Sequence, residues 1–163
     1  MSENPSGGVP RNVLGTDGWQ SVLEDMAATA ESYRDRGWTT LELHPGDAVL
    51  VDTAERTGLD VLLPGDEYED LEALVADHSF SDVEVFGAES GGIRYLLIVE
   101  QDPDAETAVF VPAYYQLSDS RDVLETIRDA GELRLFCRRL NNDFIAFDHD
   151  DLSPFLPDEF VNG

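Results

Sequence analysis

Three stretches of the chain place apolar residues at the spacing of a helix that buries one face. The apolar positions of the first stretch, residues 17–36, are Trp19, Val22, Leu23, Met26, Ala30 and Tyr33. The second stretch covers about 66–78 and the third about 119–130, where Gly131 follows as a stop signal. The pattern therefore predicts three amphipathic helices.

Short runs rich in β-branched and aromatic residues lie between and after these helices, as expected of strands. The runs are 39–44, 48–52, a weaker 59–63, 82–88, 93–101, 107–115, 132–139 and 144–147. Pro45 and Gly46 separate the first two runs, which predicts a hairpin closed by a type II turn with positive φ at the glycine. Short links between successive strands predict one α+β domain, with an antiparallel-dominated sheet of about seven strands.

The ends of the chain lack both periods. Residues 1–15 are rich in Gly, Pro, Ser and Asn, which predicts a mobile tail. The domain is expected over 16–151, and the proline-containing segment 152–163 is expected to be irregular. Up to the third helix, the order of elements is similar to that of roadblock and profilin-like modules, a resemblance that fits an interaction module.

Charge adds a physical environment to this picture. The 163 residues include 35 acidic side chains against 10 basic ones, all of them Arg, for a net charge of −25 at neutral pH. Such a surface repels itself in dilute buffer, whereas at about 1 M salt the Debye length is about 3 Å and the repulsion is screened. The lysine-free composition resembles that of haloarchaeal proteins. This resemblance implies an uncharacterised protein of a salt-rich archaeal cytoplasm, with solvent cations as its counter-ions.

Composition also excludes several classes of partner. The longest apolar runs, such as 96–99 and 109–111, are too short to span a bilayer, and residues 1–10 show no secretory signal. Nucleic acid is not expected, because phosphate binding requires a concentrated basic surface. No glycine-rich nucleotide motif is present, so no cofactor is predicted. The single cysteine, Cys137, is expected to be a buried apolar side chain.

Residues 43–52 (LHPGDAVLVD) resemble a segment of signal-peptidase and LexA-like serine proteases, in which a Pro-Gly-Asp turn enters an apolar strand. Those families need a serine nucleophile activated by a deprotonated lysine. Because this chain has no lysine, their chemistry does not carry over. Two readings stay open: a plain hairpin turn, or a turn that brings His44 and Asp47 to a ligand pocket.

Clustered carboxylates at Asp148, Asp150 and Asp151 surround His149. Carboxylates suit Mg²⁺ or Ca²⁺, and a histidine adds a preference for transition metals. The spacing matches no EF-hand loop, and among 35 acidic residues such a run arises readily by chance. No metal site is therefore assigned, and Asp148, His149 and Asp150 remain candidate ligands beside the alternative of a solvated acidic turn.

The arginines are scarce, and three of them lie close together at Arg134, Arg138 and Arg139. Alternation along a strand places Arg134, Phe136 and Arg138 on the face opposite Cys137. Arginine recognises carboxylate or phosphate well, so this face predicts an anion site or a grip on an acidic partner; the alternative is pairing with the chain's own carboxylates.

The leading hypothesis from these patterns is a non-enzymatic module that binds a protein partner or small ligand, and a homodimer is plausible. The alternative is a small enzyme that uses His44 with Asp47, or the Arg134 and Arg138 face, in a pocket that matches no known motif.

Overall fold

The structure is a computed structural model that describes residues 17–54 and 56–157; the predicted tail, 1–15, and residues 158–163 lie outside the described residues. The helices are α1 (Asp17–Asp35), α2 (Gly65–Asp77) and α3 (Arg121–Ala130), which confirms the predicted three. The strands are β1 (Thr39–Glu42), β2 (Asp47–Asp52), β3 (Thr57–Leu62), β4 (Asp82–Ser90), β5 (Ile93–Asp102), β6 (Thr107–Gln116), β7 (Leu133–Arg138) and β8 (Phe144–His149). No described helix is long and apolar enough to cross a membrane.

The strands form two four-stranded sheets, with the orders β1-β6-β5-β4 and β2-β3-β7-β8. Each sheet is mixed, because β1 runs parallel to β6 and β3 runs parallel to β7. The α+β class is confirmed, but the prediction of one antiparallel-dominated sheet is wrong. Both parallel pairs join strands far apart in the chain, and short links between neighbouring runs carry no sign of them.

The link around Pro45 connects the two sheets instead of forming a hairpin. β1 pairs with β6 and β2 pairs with β3, so the strands on either side of the link are not neighbours. The Leu43 amide donates to the Phe110 carbonyl of the first sheet at 3.0 Å, and the Gly46 amide donates to the Leu62 carbonyl of the second at 2.8 Å. Positive φ is absent at Gly46, so the predicted type II turn is also wrong.

A tight hairpin joins β4 to β5. Gly91 and Gly92 have φ values of 62° and 81°, and Ser90 pairs with Ile93 on either side of them. Positive φ at both central residues is the requirement of a type I′ turn, which matches the twist of the flanking strands. Gly91 and Gly92 therefore form the turn that links the two strands.

The core lies between the two sheets and beneath α1. Fully buried side chains line the inner faces of both sheets, among them Leu96, Ile98, Val109, Val111, Leu59, Val61, Leu133 and Leu135. On the other face of the first sheet, Trp19 of α1 packs edge-on against Tyr114 at 5.5 Å, and Tyr33 packs against Phe110 at 5.3 Å. The layers are therefore helix, sheet and sheet.

Three further segments close the core. Leu124 and Ile127 of α3 are buried within it, as are Tyr68 and Leu71 of α2. After β8 the chain turns back so that Phe155 is buried and its carbonyl accepts a hydrogen bond from the Tyr115 hydroxyl at 2.8 Å. One broad surface, the side of the second sheet that faces away from this core, receives no described helix.

Candidate binding surface

The outer face of the second sheet carries the arginine cluster. On β7, Leu133, Leu135 and Cys137 are buried in the core, and the residues between them point the opposite way. The strand register extends this side across the whole sheet, and we call it the outer face. Its residues are Val49, Val51, Gly58, Asp60, Leu62, Arg134, Phe136, Arg138, Phe144, Ala146 and Asp148. Arg134, Phe136 and Arg138 do share one face.

Phe136 is the centre of the outer face. Its side chain is fully buried, yet it does not belong to the hydrophobic core. Phe144 packs edge-on against it at 5.3 Å, and the guanidinium carbons of Arg56 and Arg134 lie 5.8 and 6.0 Å from its ring centre. Arginines therefore cover an aromatic ring here, an arrangement in which the ring's negative face attracts the cations.

A buried carboxylate lies beside this ring. Asp60 is only 2% exposed, and Arg138 Nε contacts its two oxygens at 3.1 and 3.3 Å. Arg56 Nη2 approaches the same carboxylate at 3.5 Å. Among the described residues, both contacts of Arg138 to Asp60 come from Nε, so the two terminal nitrogens of this side chain remain available to a second anion.

The other predicted arginine has its own partner. Arg134 Nε donates to Asp148 at 2.8 Å, and this carboxylate raises the pKa of the guanidinium. Both side chains are well exposed. Arg139 lies elsewhere: it donates to Asp143 at 2.8 Å and its guanidinium stands 4.5 Å above the Tyr68 ring. The chain's own carboxylates thus pair with each arginine of the cluster.

The structure does not join His44 and Asp47 into one site. The backbone amide of His44 donates to Glu67 at 2.6 Å, and its Nδ1 lies 2.8 Å from the other oxygen of that carboxylate. Asp47 instead accepts a hydrogen bond from the Tyr114 hydroxyl at 3.1 Å. Burial, with Asp47 nearby, raises the pKa of Tyr114 to about 12. Each candidate therefore has a different partner.

The acidic run after Phe147 is divided by the alternation of β8. Asp148 points outward to Arg134, whereas His149 points inward and Asp150 is exposed just beyond the strand. Within residues 17–54 and 56–157, no group of three or more His, Cys, Asp or Glu side chains is arranged to hold a metal ion.

A buried ionisable pair lies between the sheets, and sequence reasoning missed it. His149 Nε2 is 2.8 Å from the Glu100 carboxylate, and the two residues are only 9% and 1% exposed. Burial raises the pKa of Glu100, and the Phe155 ring covers the histidine at 5.0 Å. The signal was available, because alternation in the apolar run of β5 turns Glu100 inward.

Burial also raises the pKa of Cys137, so its thiol is no candidate nucleophile.

An apolar groove of about 220 Å³ runs between α1 and β4, on the far side of the molecule's first sheet. Its lining includes Val22, Asp25, Phe86, Ala88, Tyr95 and Leu97. Phe86 is 49% exposed at its rim. No motif marks this groove, because its lining comes from one helix and two strands that are separated in sequence.

Comparison with known proteins adds a family. A family model matches residues 11–157, which is most of the chain. The chain belongs to DUF7529, a family of unknown function. No curated protein and no solved structure matches it. Membership of DUF7529 assigns no activity to any of the residues described above.

Proposed function

We propose that the chain is a non-enzymatic binding module whose outer face docks a protein segment that presents a carboxylate beside an apolar side chain. The observation that carries this proposal is the pairing of two guanidinium groups, Arg56 and Arg138, with the single carboxylate of Asp60. The two arginines therefore carry one positive charge more than Asp60 neutralises. The terminal nitrogens of Arg138 can donate hydrogen bonds to a second carboxylate.

Charge complementarity supports a protein partner that is itself acidic. The chain carries −25 overall, but at about 1 M salt the Debye length is about 3 Å, so a partner's carboxylate is selected by direct contacts and not by the distant net charge. The outer face is the exception to this negative charge, because Arg134 and Arg138, together with the adjoining Arg56, outnumber the two carboxylates that they contact. A carboxylate in direct contact with this face would find a guanidinium to pair with, and electrostatic complementarity of this kind sets the register of docking.

Exposed apolar area supports the same surface. Among the described residues the exposed large hydrophobic side chains are Val49, Phe86, Leu140 and Phe144. Val49 and Phe144 belong to the outer face, and Leu140 lies in the link that joins β7 to β8 at one end of it. Val49 lies on β2 and Phe144 on β8, the two edge strands of this sheet, so they add apolar contact area on either side of the arginines.

The remaining reactive groups favour a binding role over a catalytic one. His44 is held by Glu67, and Glu100, His149 and Cys137 are buried in the core. General acid–base or nucleophilic catalysis needs such groups to reach a substrate in a pocket. The proposal therefore sets aside the small-enzyme alternative.

We also propose a salt-rich archaeal cytoplasm as the setting of this module. The support is the composition, in which acidic side chains are abundant and all basic residues are Arg. Partners in such a cytoplasm would share the acidic composition, which agrees with a docking face that is locally positive.

The test uses a defined peptide, Asp-Asp-Phe-Asp, titrated into ¹⁵N-labelled protein in constant molar KCl and followed by NMR chemical shifts. The expected shifts are confined to residues of the outer face. Arg138→Gln should weaken binding about tenfold, because about 1.4 kcal/mol of charge-assisted hydrogen bonding is lost. Asn-Asn-Phe-Asn should bind more weakly than the acidic peptide.

Arg34→Gln is the control, because Arg34 also pairs with a carboxylate of its own chain, donating to Glu42 at 3.1 Å, and lies on another surface. It should bind the peptide like the wild type. Equal weakening by both substitutions, or shifts that map away from the outer face, would contradict the proposal. Acetate giving the full response of the peptide would also contradict it, since that result means a simple anion site.

A further inference from the structure

The last strand of the first sheet, β4, is long, and among the described residues no strand pairs with its outer edge. β4 has nine residues, its pairing is with β5, and it stands last in the order β1-β6-β5-β4. Its centre, residues 85–88, is uncharged and contains no proline. An edge of this length and composition is a template for another strand, and soluble proteins usually block such edges.

The hairpin geometry determines which backbone groups β4 offers at its edge. The Gly92 carbonyl accepts a hydrogen bond at 2.9 Å from the amide of Leu117, the residue after β6, so the next amide, that of Ile93, points the opposite way, toward β4. Ser90 and Ile93 form the hydrogen-bonded pair that closes the hairpin. Counting back from Ser90, every second residue of β4 therefore directs its backbone N–H and C=O groups toward β5. The residues whose N–H and C=O groups face outward are therefore Val83, Val85, Gly87 and Glu89.

We propose that β4 pairs antiparallel with β4 of a second copy, about a twofold axis at Phe86, so that the two first sheets become one continuous sheet. Phe86 is the midpoint of the strand, so this register uses all of its residues. Val85 then bonds to Gly87 of the second copy and Val83 to Glu89, and each bond is repeated by symmetry. This proposal uses a different sheet from the docking face above and does not depend on it.

The charges of β4 argue for a second copy as the occupant. In the register centred on Phe86, Glu84 faces Ala88, Asp82 faces Ser90 and Glu89 faces Val83. No carboxylate stands opposite another carboxylate, although each chain carries a net charge of −25. A register centred on Glu84 would oppose two carboxylates, which destabilises strand pairing.

Side-chain packing supports the same axis. Phe86 is 49% exposed, and it points to the face of the sheet on which α1 and the apolar groove lie. A second Phe86 directly across the axis would shield both rings at the rim of the groove. Arg94 holds Glu89 at 3.2 Å within its own chain, so that carboxylate stays paired when the strands meet.

A disulfide at the axis tests the register. Phe86 of each copy would form a pair without mutual hydrogen bonds, in which the Cα atoms are about 4.5 Å apart, within the range of a disulfide. Phe86→Cys should therefore convert to a covalent dimer on mild oxidation in molar KCl. The buried Cys137 does not compete. Static light scattering of the wild type in the same salt should give twice the mass of one chain.

Val49→Cys is the matched control, because Val49 is 47% exposed and lies on the outer face of the second sheet. It should remain uncrosslinked. Val85→Pro removes an outward N–H without removing a bond to β5, so it should give a folded monomer by circular dichroism and light scattering. A monomeric wild type, a dimer unaffected by Val85→Pro, or crosslinking at residue 49 and not at residue 86 would overturn the proposal.

Discussion

Individual side chains in this protein owe their roles to partners that are remote in sequence. Asp60 meets Arg138 across 78 positions, and Glu100 meets His149 across 49. The face shared by Arg134, Phe136 and Arg138 could be predicted, because strand alternation is local. Their carboxylate partners could not, because Asp60 comes from a parallel neighbour that the sequence pattern does not reveal.

The Glu100 carboxyl group should make stability depend on pH. Its pKa is raised above the ordinary 4.5 by burial, so the folded state holds this proton more tightly than the unfolded state does. The favourable contribution of Glu100 to the free energy of unfolding is fully present below about pH 4.5. This contribution is lost as pH rises through the folded-state pKa. Glu100→Gln should lack this loss, which urea unfolding from pH 4 to 8 in constant molar KCl will measure.

Glu69→Gln serves as the comparison for this experiment, because Glu69 is exposed on α2. It should follow the wild-type pH profile. If Glu100→Gln also follows that profile, Glu100 does not titrate differently in the two states, and the buried pair with His149 carries no linkage.

At the scale of elements, local sequence patterns were sufficient to predict the helices and the tight hairpin. They did not predict which distant strands pair with each other. The three helices follow from their apolar spacing, and the β4–β5 hairpin follows from Gly91 and Gly92. The hairpin predicted at Pro45 and Gly46 was wrong, because a turn signal indicates that the chain changes direction. It does not indicate that the strands on either side of the turn pair with each other. The second sheet depends on the parallel contact of β3 with β7, which closes between Gly58 and Arg134.

That contact is close at Gly58. A Cβ atom placed there would lie 2.1 Å from the Arg134 carbonyl oxygen, and the φ of 154° is unfavourable for other residues. Gly58→Ala should therefore lower the free energy of unfolding by about 3 kcal/mol, because backbone must move apart to admit the methyl group. Urea unfolding in molar KCl measures the loss.

Gly65→Ala provides the contrast for Gly58. No atom lies within 4 Å of a Cβ at Gly65, which opens α2. This substitution should stabilise by about 0.5 kcal/mol, since it only restricts the unfolded chain. Similar effects of the two substitutions would mean that β3 and β7 can separate without cost.

At the scale of the whole molecule, the net charge of −25 should decide whether the chain folds. Self-repulsion opposes the compact state in dilute buffer and is screened at about 1 M salt. We expect cooperative thermal unfolding in molar KCl and loss of the folded circular dichroism signal on dialysis into salt-free buffer. Full cooperative structure without salt would contradict the proposed salt-rich setting.

The interleaved strand orders have a consequence for how the chain acquires its structure. β1 can pair only after β6 has been synthesised, and β3 can pair with β7 only after β7 has been synthesised. Each sheet therefore needs segments that are synthesised late. Closing such large loops costs entropy before any contact is gained, which slows folding. A nascent chain that ends before β7 would hold an incomplete second sheet, with its apolar strands exposed to chaperones or to aggregation.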